Sequence, residues 1–217
     1  MRKIKAIIFD WGGVLIDNPA PGMLRYCAEK LAVPEKNLIK IYDEFSDDFQ
    51  TNRIPEKILW QRIRERIRSN NRTLKNNIKI RDVEPLYDLL WFDAFIHEYS
   101  PRKNMFRLAT TLKNKGYKIG LLSNTEVKIM EYYRQLNYDM IDVAVFSCAE
   151  GIAKPDDRIY HIMLNKLGVP AGETVFVDDK RENVTRAALI GMKAIFFKNY
   201  KQLKLQLNKI GVNVNSV

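Results

Sequence analysis

The stretch IKAIIFDWGGVL, residues 4–15, decides the fold of this chain. Its first half is a short apolar run rich in isoleucine, which ends at Asp10 and is followed by Gly12 and Gly13. A run of this kind bounded by glycines predicts a buried strand and then a tight turn. The glycines allow backbone to approach a ligand closely, so Asp10 is a candidate functional residue. A turn or helix-cap aspartate is the alternative interpretation.

The same arrangement recurs further along the chain. Polar side chains follow apolar runs or stand in a short loop before a helix: Ser123 and Asn124 after residues 119–122, Lys154 within residues 151–155, and Asp178 and Asp179 after residues 175–177. In a parallel α/β sheet, ligands bind outside the carboxyl ends of the strands. The pattern therefore predicts that these side chains meet at one edge of a sheet.

Strand and helix patterns alternate through the second half of the chain. Strands are predicted at 117–122, 143–146, 174–177 and 193–197, and helices at 101–115, 126–136, 156–167, 181–190 and 201–209. Such alternation implies right-handed crossovers and a mostly parallel sheet. The predicted fold class is α/β, with a Rossmann-like three-layer core.

Residues 18–95 have a different character. Apolar residues fall at helical spacing and charges are dense, and Pro34, Pro55 and Pro85 divide the segment into several helices. We predict a helical cap domain at 17–96, inserted into a core formed by 1–16 and 97–217. Its hinges are expected near 16–18 and 96–101.

The candidate residues have complementary chemistry. Adjacent carboxylates such as Asp178 and Asp179 repel each other unless a cation neutralises them, and hard oxygen ligands suit Mg²⁺. Ser123 and the following helix start favour an anion, and Lys154 supplies a positive charge. Together they describe a phosphoryl-transfer site. Taken singly, each group has an ordinary alternative: a helix cap for the polar residues, a surface position for Lys154.

Composition limits the kinds of partner that the chain is expected to bind. The chain has 217 residues, is 46% hydrophobic and carries a formal net charge of +10. Lysines and arginines are spread along the chain without an aromatic-plus-basic motif, so no nucleic-acid partner is expected. Two distant cysteines, Cys27 and Cys148, give no disulfide framework or metal cluster. With no signal peptide or bilayer-length apolar stretch in this sequence, a cytoplasmic protein without a membrane partner is expected.

The four motifs in this order resemble the haloacid dehalogenase-like (HAD) superfamily. The resemblance covers residues 4–14 and 100–197, and the helical insert stands where that superfamily carries its cap. It implies an aspartyl-phosphate mechanism with Mg²⁺ as cofactor. Asp10 would be the nucleophile, and the metal ligands would be Asp10, Asp178 and the Gly12 carbonyl, with Asp179 supporting the metal-bound waters. Ser123 and Asn124 would hold the phosphoryl oxygens, and Lys154 would neutralise charge between the phosphoryl group and Asp10.

One position departs from the family pattern. Phosphatases of the superfamily usually place a second aspartate two residues after the nucleophile, as general acid/base, and here that position is Gly12. Three interpretations stay open: a slower phosphatase using another acid or water, a metal-free haloacid dehalogenase, or a phospholigand-binding protein without turnover. The pair Asp178-Asp179 argues against the metal-free dehalogenase. Asp17 is a possible substitute acid, with a hinge role as the alternative.

The implied activity is hydrolysis of a small phosphorylated metabolite, a sugar phosphate being one candidate. Four aromatic residues of the insert are candidates to line a substrate pocket, with packing of the helical bundle as the alternative: Tyr42, Phe45, Phe49 and Trp60. The arginines of segment 61–68 either attract a phosphorylated substrate or form a solvated helix face. The oligomeric state is not indicated by the sequence.

Overall fold

A five-stranded parallel sheet organises the computed structural model, which describes residues 3–74, 78–81 and 86–214. The strands are β1 (Ala6–Phe9), β2 (Lys118–Ser123), β3 (Val143–Phe146), β4 (Thr174–Asp178) and β5 (Lys193–Phe196). They are arranged in the order β3-β2-β1-β4-β5. Strand β1 is thus central, with β2 on one side and β4 on the other. This confirms the α/β, Rossmann-like fold class.

Helices cover both faces of the sheet. After the insert the chain forms α6 (Lys103–Asn114), α7 (Val127–Tyr133), α8 (Ser147–Glu150), α9 (Asp157–Leu167), α10 (Arg181–Leu189) and α11 (Tyr200–Lys209), and a 3₁₀ turn at Ala171–Glu173. Alternate residues of β1 enter different apolar clusters: Ile7 and Phe9 pack on the side of α6 and α11, whereas Ala6 and Ile8 pack on the side of α9. A strand buried on both faces needs a continuous apolar run, which explains the sequence of β1.

The insert between β1 and α6 is helical. It contains α1 (Ala20–Leu31), α2 (Glu35–Asp43), α3 (Ser46–Gln50), α4 (Glu56–Leu74) and α5 (Leu90–Glu98). Pro34 and Pro55 immediately precede α2 and α4, as expected of proline at helix starts. Pro85, also expected to separate helices, lies outside the described residues. The cap boundaries at 17–96 stay a prediction.

The two connections of the insert run side by side. Ile16 forms an antiparallel bridge with Pro101, and the Asp17 amide donates to the Ser100 carbonyl at 2.8 Å. The Arg102 amide donates to the carbonyl of Leu15 at 2.9 Å. The segments predicted as hinges are therefore paired with each other in the structure.

Within the described residues, no helix combines the length and the apolar content that crossing a membrane requires. Cys27 and Cys148 are both buried free thiols, so neither belongs to a disulfide or to the candidate metal cluster.

Candidate functional site

Strand register brings three of the predicted residues to one edge of the sheet. Phe9 of β1 is level with Leu121 of β2 and with Val177 of β4. Asp10 therefore emerges between the ends of two neighbouring strands that carry Ser123 and Asp178. The Asp10 amide donates to the Val177 carbonyl at 2.9 Å, which extends the ladder to the nucleophile candidate itself.

Lys154 joins this group from the loop before α9. Its Nζ lies 2.9 Å from Asp10 Oδ1 and 2.7 Å from Asp178 Oδ2, and it donates to the Leu122 carbonyl at 2.8 Å. Lys154 is 5% exposed, so the alternative of a surface lysine is wrong. A buried ammonium with two carboxylates and a carbonyl is held at a fixed point, as electrostatic stabilisation requires.

Asn124 holds the Lys154 loop in place. Its Nδ2 donates to the Lys154 carbonyl at 2.9 Å, and its Oδ1 accepts from the Lys154 amide at 2.8 Å. Both ends of the side-chain amide are therefore engaged with backbone. Because the side chain is occupied, the backbone N–H of Asn124 is the group that would make the predicted contact with a phosphoryl oxygen.

The acidic cluster contains the three predicted carboxylates. Oxygen atoms of Asp10, Asp178 and Asp179 all lie within 4.8 Å of one another, a spacing that could hold a metal ion. Asn183 donates from Nδ2 to both oxygens of Asp178 at 3.1 and 3.0 Å. The Asn183 Oδ1 is buried and accepts no hydrogen bond from any described residue. Three clustered carboxylates beside one ammonium group are a donor set suited to a hard divalent cation.

The charges perturb one another strongly. Burial raises the pKa of Asp10 to about 7, with repulsion from Asp178 and Asp179 adding to the rise and Lys154 opposing it. Burial and Asp178 also raise the pKa of Asp179. Burial alone would lower the pKa of Lys154, but attraction to Asp10 and Asp178 raises it. A bound cation would favour the ionised form of the nucleophile candidate.

Gly13 makes room for Asp179. A Cβ atom on Gly13 would lie 2.0 Å from Asp179 Oδ2, and Gly13 has a φ of +85°, where side chains are rarely tolerated. Gly12 has neither restriction, since its nearest neighbour would be Pro19 Cδ at 3.4 Å. Asp179 and the backbone conformation therefore require glycine at position 13, whereas neither requires it at position 12.

The hinge interpretation of Asp17 agrees with its contacts. Its carboxylate accepts from Ser100 Oγ at 2.8 Å and from Arg102 Nε at 2.7 Å, and its side chain is 56% exposed. The hydrogen bonds from Arg102 and Ser100 lower its pKa, which makes it a poor proton donor at neutral pH. Arg102 also donates to the Gly13 carbonyl at 2.7 Å, linking the hinge to the loop beside Asp179.

A cavity of about 300 Å³ lies between this edge of the sheet and the insert. The core side contributes Asp10, Ser123, Lys154 and Asp179, and the insert side contributes Tyr42, Asp43, Gln50 and Trp91. This volume is at the small end of ligand pockets. Its size and its polar floor fit a small polar ligand.

Only Tyr42 of the four aromatic candidates lines this cavity. Phe49 lines a neighbouring pocket, Phe45 packs against the apolar cluster, and Trp60 is buried with its Nε1 donating to Glu56 at 3.1 Å. The α4 arginines do not line the cavity: Arg62 pairs with Asp48, and Arg66 pairs with Glu44. The solvated-face interpretation fits these two arginines.

Sequence reasoning missed Glu126 and Ser147. Glu126 is 6% exposed and lines the cavity, although its place just before α7 is typical of an ordinary helix-start acid. Ser147 Oγ accepts from the Thr125 amide at 2.9 Å and donates to the Gln50 carbonyl at 2.6 Å, joining the core to the insert. No sequence signal identifies a contact between residues this far apart.

The comparisons with known proteins agree with the fold. A family model for haloacid dehalogenase-like hydrolases matches residues 4–191, so the chain belongs to this family of hydrolases. Among solved structures, a HAD family enzyme from Bacteroides thetaiotaomicron in a magnesium complex superposes with a TM-score of 0.70 at 18% identity, covering 93% of this chain and 98% of that one.

Two curated relatives are phosphatases. A glyceraldehyde 3-phosphate phosphatase of Pyrococcus furiosus is 25% identical over 95% of this chain and 86% of its own length. A sesquiterpene phosphatase of Aspergillus oryzae is 30% identical over 51% of this chain and 57% of its own. The chain spans between 18% and 57% of the first three curated relatives that it matches.

Proposed function

We propose that this HAD-like hydrolase is a Mg²⁺-dependent phosphomonoester hydrolase that acts on a small phosphorylated metabolite through an aspartyl-phosphate at Asp10. The observation that carries the proposal is the placement of Lys154 Nζ against both Asp10 and Asp178, with Asp179 in the same cluster. Phosphatases among the relatives add support.

The metal is proposed from the donor set. Asp10, Asp178 and the Gly12 carbonyl would hold Mg²⁺, with Asp179 beside them. When bound, the ion would neutralise charge on the phosphoryl group during transfer. A metal-free dehalogenase has no use for three clustered carboxylates, so this cluster favours the phosphatase over that alternative.

The protein groups divide the reaction between them. A carboxylate oxygen of Asp10 attacks phosphorus, the bond from phosphorus to the ester oxygen breaks, and the leaving alkoxide takes a proton from water. Water then cleaves the acyl phosphate and regenerates the carboxylate. Lys154 neutralises charge between Asp10 and the phosphoryl group, while Ser123 Oγ and the backbone N–H of Asn124 hold the phosphoryl oxygens. Fixed charges of this kind are commonly the largest contribution to catalysis.

The first test is hydrolysis of p-nitrophenyl phosphate with Mg²⁺, with EDTA, and by the Asp10→Asn variant. We expect Mg²⁺-dependent release that disappears in both controls, while thermal unfolding of the variant stays cooperative. Retained turnover by Asp10→Asn would refute the nucleophile assignment.

A second measurement tests the site without a substrate, in case the enzyme is selective and rejects p-nitrophenyl phosphate. BeF₃⁻ with Mg²⁺ mimics the aspartyl-phosphate, so we expect it to bind the wild-type protein and not Asp10→Asn. Chloride release from 2-chloropropionate without metal would instead identify a dehalogenase. Mg²⁺-dependent BeF₃⁻ binding with no turnover of any phosphomonoester would identify a binding protein.

A further inference from the structure

A second polar cluster lines the cavity away from the carboxylates. It consists of Tyr42, Gln50, Trp91 and Glu126, which we call the Glu126 cluster. Tyr42 and Glu126 are each 6% exposed and Trp91 is 3% exposed. Three residues come from the insert and Glu126 comes from the core, so the cluster spans both walls of the cavity.

Two donors of the Glu126 cluster lack a hydrogen bond of normal geometry. The Tyr42 hydroxyl and the Trp91 indole N–H are buried and close enough to the Glu126 carboxyl to lower its pKa as hydrogen-bond donors, but neither has the distance and angle of a normal hydrogen bond to any described residue. Buried polar groups in proteins are nearly always hydrogen-bonded. Two buried donors that border a cavity therefore indicate a place for a ligand.

Glu126 can act as an acceptor and as a donor. Burial raises its pKa to about 7, although neighbouring Trp91, Gln50 and Tyr42 hydrogen-bonding groups act in the opposite direction. Near neutral pH the carboxyl is therefore divided between its ionised and neutral forms. Either form can hydrogen-bond an uncharged hydroxyl group.

The aromatic members are fixed in position. The rings of Tyr42 and Trp91 are stacked, with centroids 4.7 Å apart and planes 17° from parallel. Phe49 contacts Trp91 edge-on at 6.1 Å, and the Trp91 amide donates to Glu56 Oε1 at 2.6 Å. Packing and hydrogen bonding thus fix both residues at the border of the cavity before any ligand binds, as specific recognition requires.

We propose that the Glu126 cluster is a leaving-group subsite that hydrogen-bonds a hydroxyl-bearing group, the sugar or polyol part of a phosphomonoester. This inference rests on the proposed function, which places the phosphoryl group at Asp10. A hydroxyl group accepts from Tyr42 or Trp91 while it donates to Glu126. An alkyl or isoprenyl chain would offer no hydrogen-bond partner to any of the three groups, and a site built to bind a hydroxyl rejects such an analogue strongly.

Matched substrates isolate this subsite. Glycerol 1-phosphate and propyl phosphate share a carbon skeleton and differ only in hydroxyl groups, as do ribitol 5-phosphate and pentyl phosphate. We expect the wild-type kcat/KM to favour the hydroxylated member by at least tenfold in one pair or both. Equal values within both pairs would overturn the proposal.

Three variants assign the preference to named residues. In Glu126→Gln and Tyr42→Phe, the kcat/KM ratio of the hydroxylated to the alkyl substrate should fall from about tenfold or more towards 1, mostly through KM. Glu131→Gln makes the same substitution at an exposed site on α7 and should keep the wild-type ratio. Tyr42→Phe retains the stacked ring, so it tests the hydroxyl even if Glu126→Gln destabilises the fold.

Failure of the subsite is distinguishable from failure of the proposed function. If the variants lower both members of a pair equally, or leave the ratio unchanged, the subsite is wrong while phosphatase activity stands. If the wild type hydrolyses no phosphomonoester and binds no BeF₃⁻, the proposed function is wrong and the subsite falls with it.

Discussion

Replacing Gly12 by aspartate should increase turnover. Gly12 stands two residues after Asp10, where phosphatases of the superfamily usually carry a general acid/base. Its backbone is outside the left-handed region, and a Cβ would meet only Pro19 Cδ, at 3.4 Å, which is ordinary contact. The structure therefore accommodates the side chain without backbone strain.

The size of the gain follows from what the site lacks. General acid–base catalysis contributes about 10²–10⁴-fold, which corresponds to roughly 3–5 kcal/mol of transition-state stabilisation. A new carboxyl beside Asp10, Asp178 and Asp179 has a raised pKa through repulsion, which suits an acid that must hold a proton near neutrality. The same repulsion costs some stability, so we expect the lower end, about 10²-fold in kcat.

The assay is steady-state hydrolysis of an alkyl phosphomonoester, whose poor leaving group needs protonation. With p-nitrophenyl phosphate, whose leaving group is weakly basic, the gain of Gly12→Asp should be smaller. Gly12→Asn is the matched control, since it has the same size and no acid. If Gly12→Asp gives no increase with a folded protein, or if Gly12→Asn gives the same increase, the reasoning that this enzyme lacks a general acid is refuted.

Three further changes test other parts of the structure. Gly13→Ala should displace Asp179, because its Cβ would stand 2.0 Å from Asp179 Oδ2, and kcat/KM for a phosphomonoester should fall by about 10²-fold. Gly116→Ala is the control for backbone strain, since Gly116 also has a positive φ and a Cβ there would have no atom within 4 Å. Asp178→Asn should raise the Mg²⁺ concentration for half-maximal activity by at least tenfold, and an unchanged titration would remove Asp178 from the metal ligands. Glu56→Gln should remove a pH dependence of stability: burial raises the Glu56 pKa from 4.5 to about 7, so the folded state retains a proton that the unfolded state loses. Wild-type stability should then fall by about 3 kcal/mol relative to Glu56→Gln as pH rises from about 4.5 to about 7, and parallel denaturation curves across that range would contradict the assignment.

The sequence determined the core of the fold and most of the candidate site. Apolar runs that are continuous rather than alternating predict strands buried on both faces, and helices between them leave parallel pairing as the regular solution. Residues placed at strand ends, such as Asp10 and Asp178, must then meet at one edge. These inferences rest on patterns of neighbouring residues, which can be recognised in the sequence without knowing any contact between distant segments.

Tertiary structure alone decided the contacts between distant segments. Glu126 borders the cavity because Tyr42 and Trp91 pack above it, and Gln50 reaches Ser147 across 97 positions of chain. Local sequence does not encode such neighbours, since their distance depends on how the insert packs on the sheet. Burial then sets their chemistry: a glutamate at a helix start is ordinary in water, and becomes a group with a pKa of about 7 only when the insert covers it.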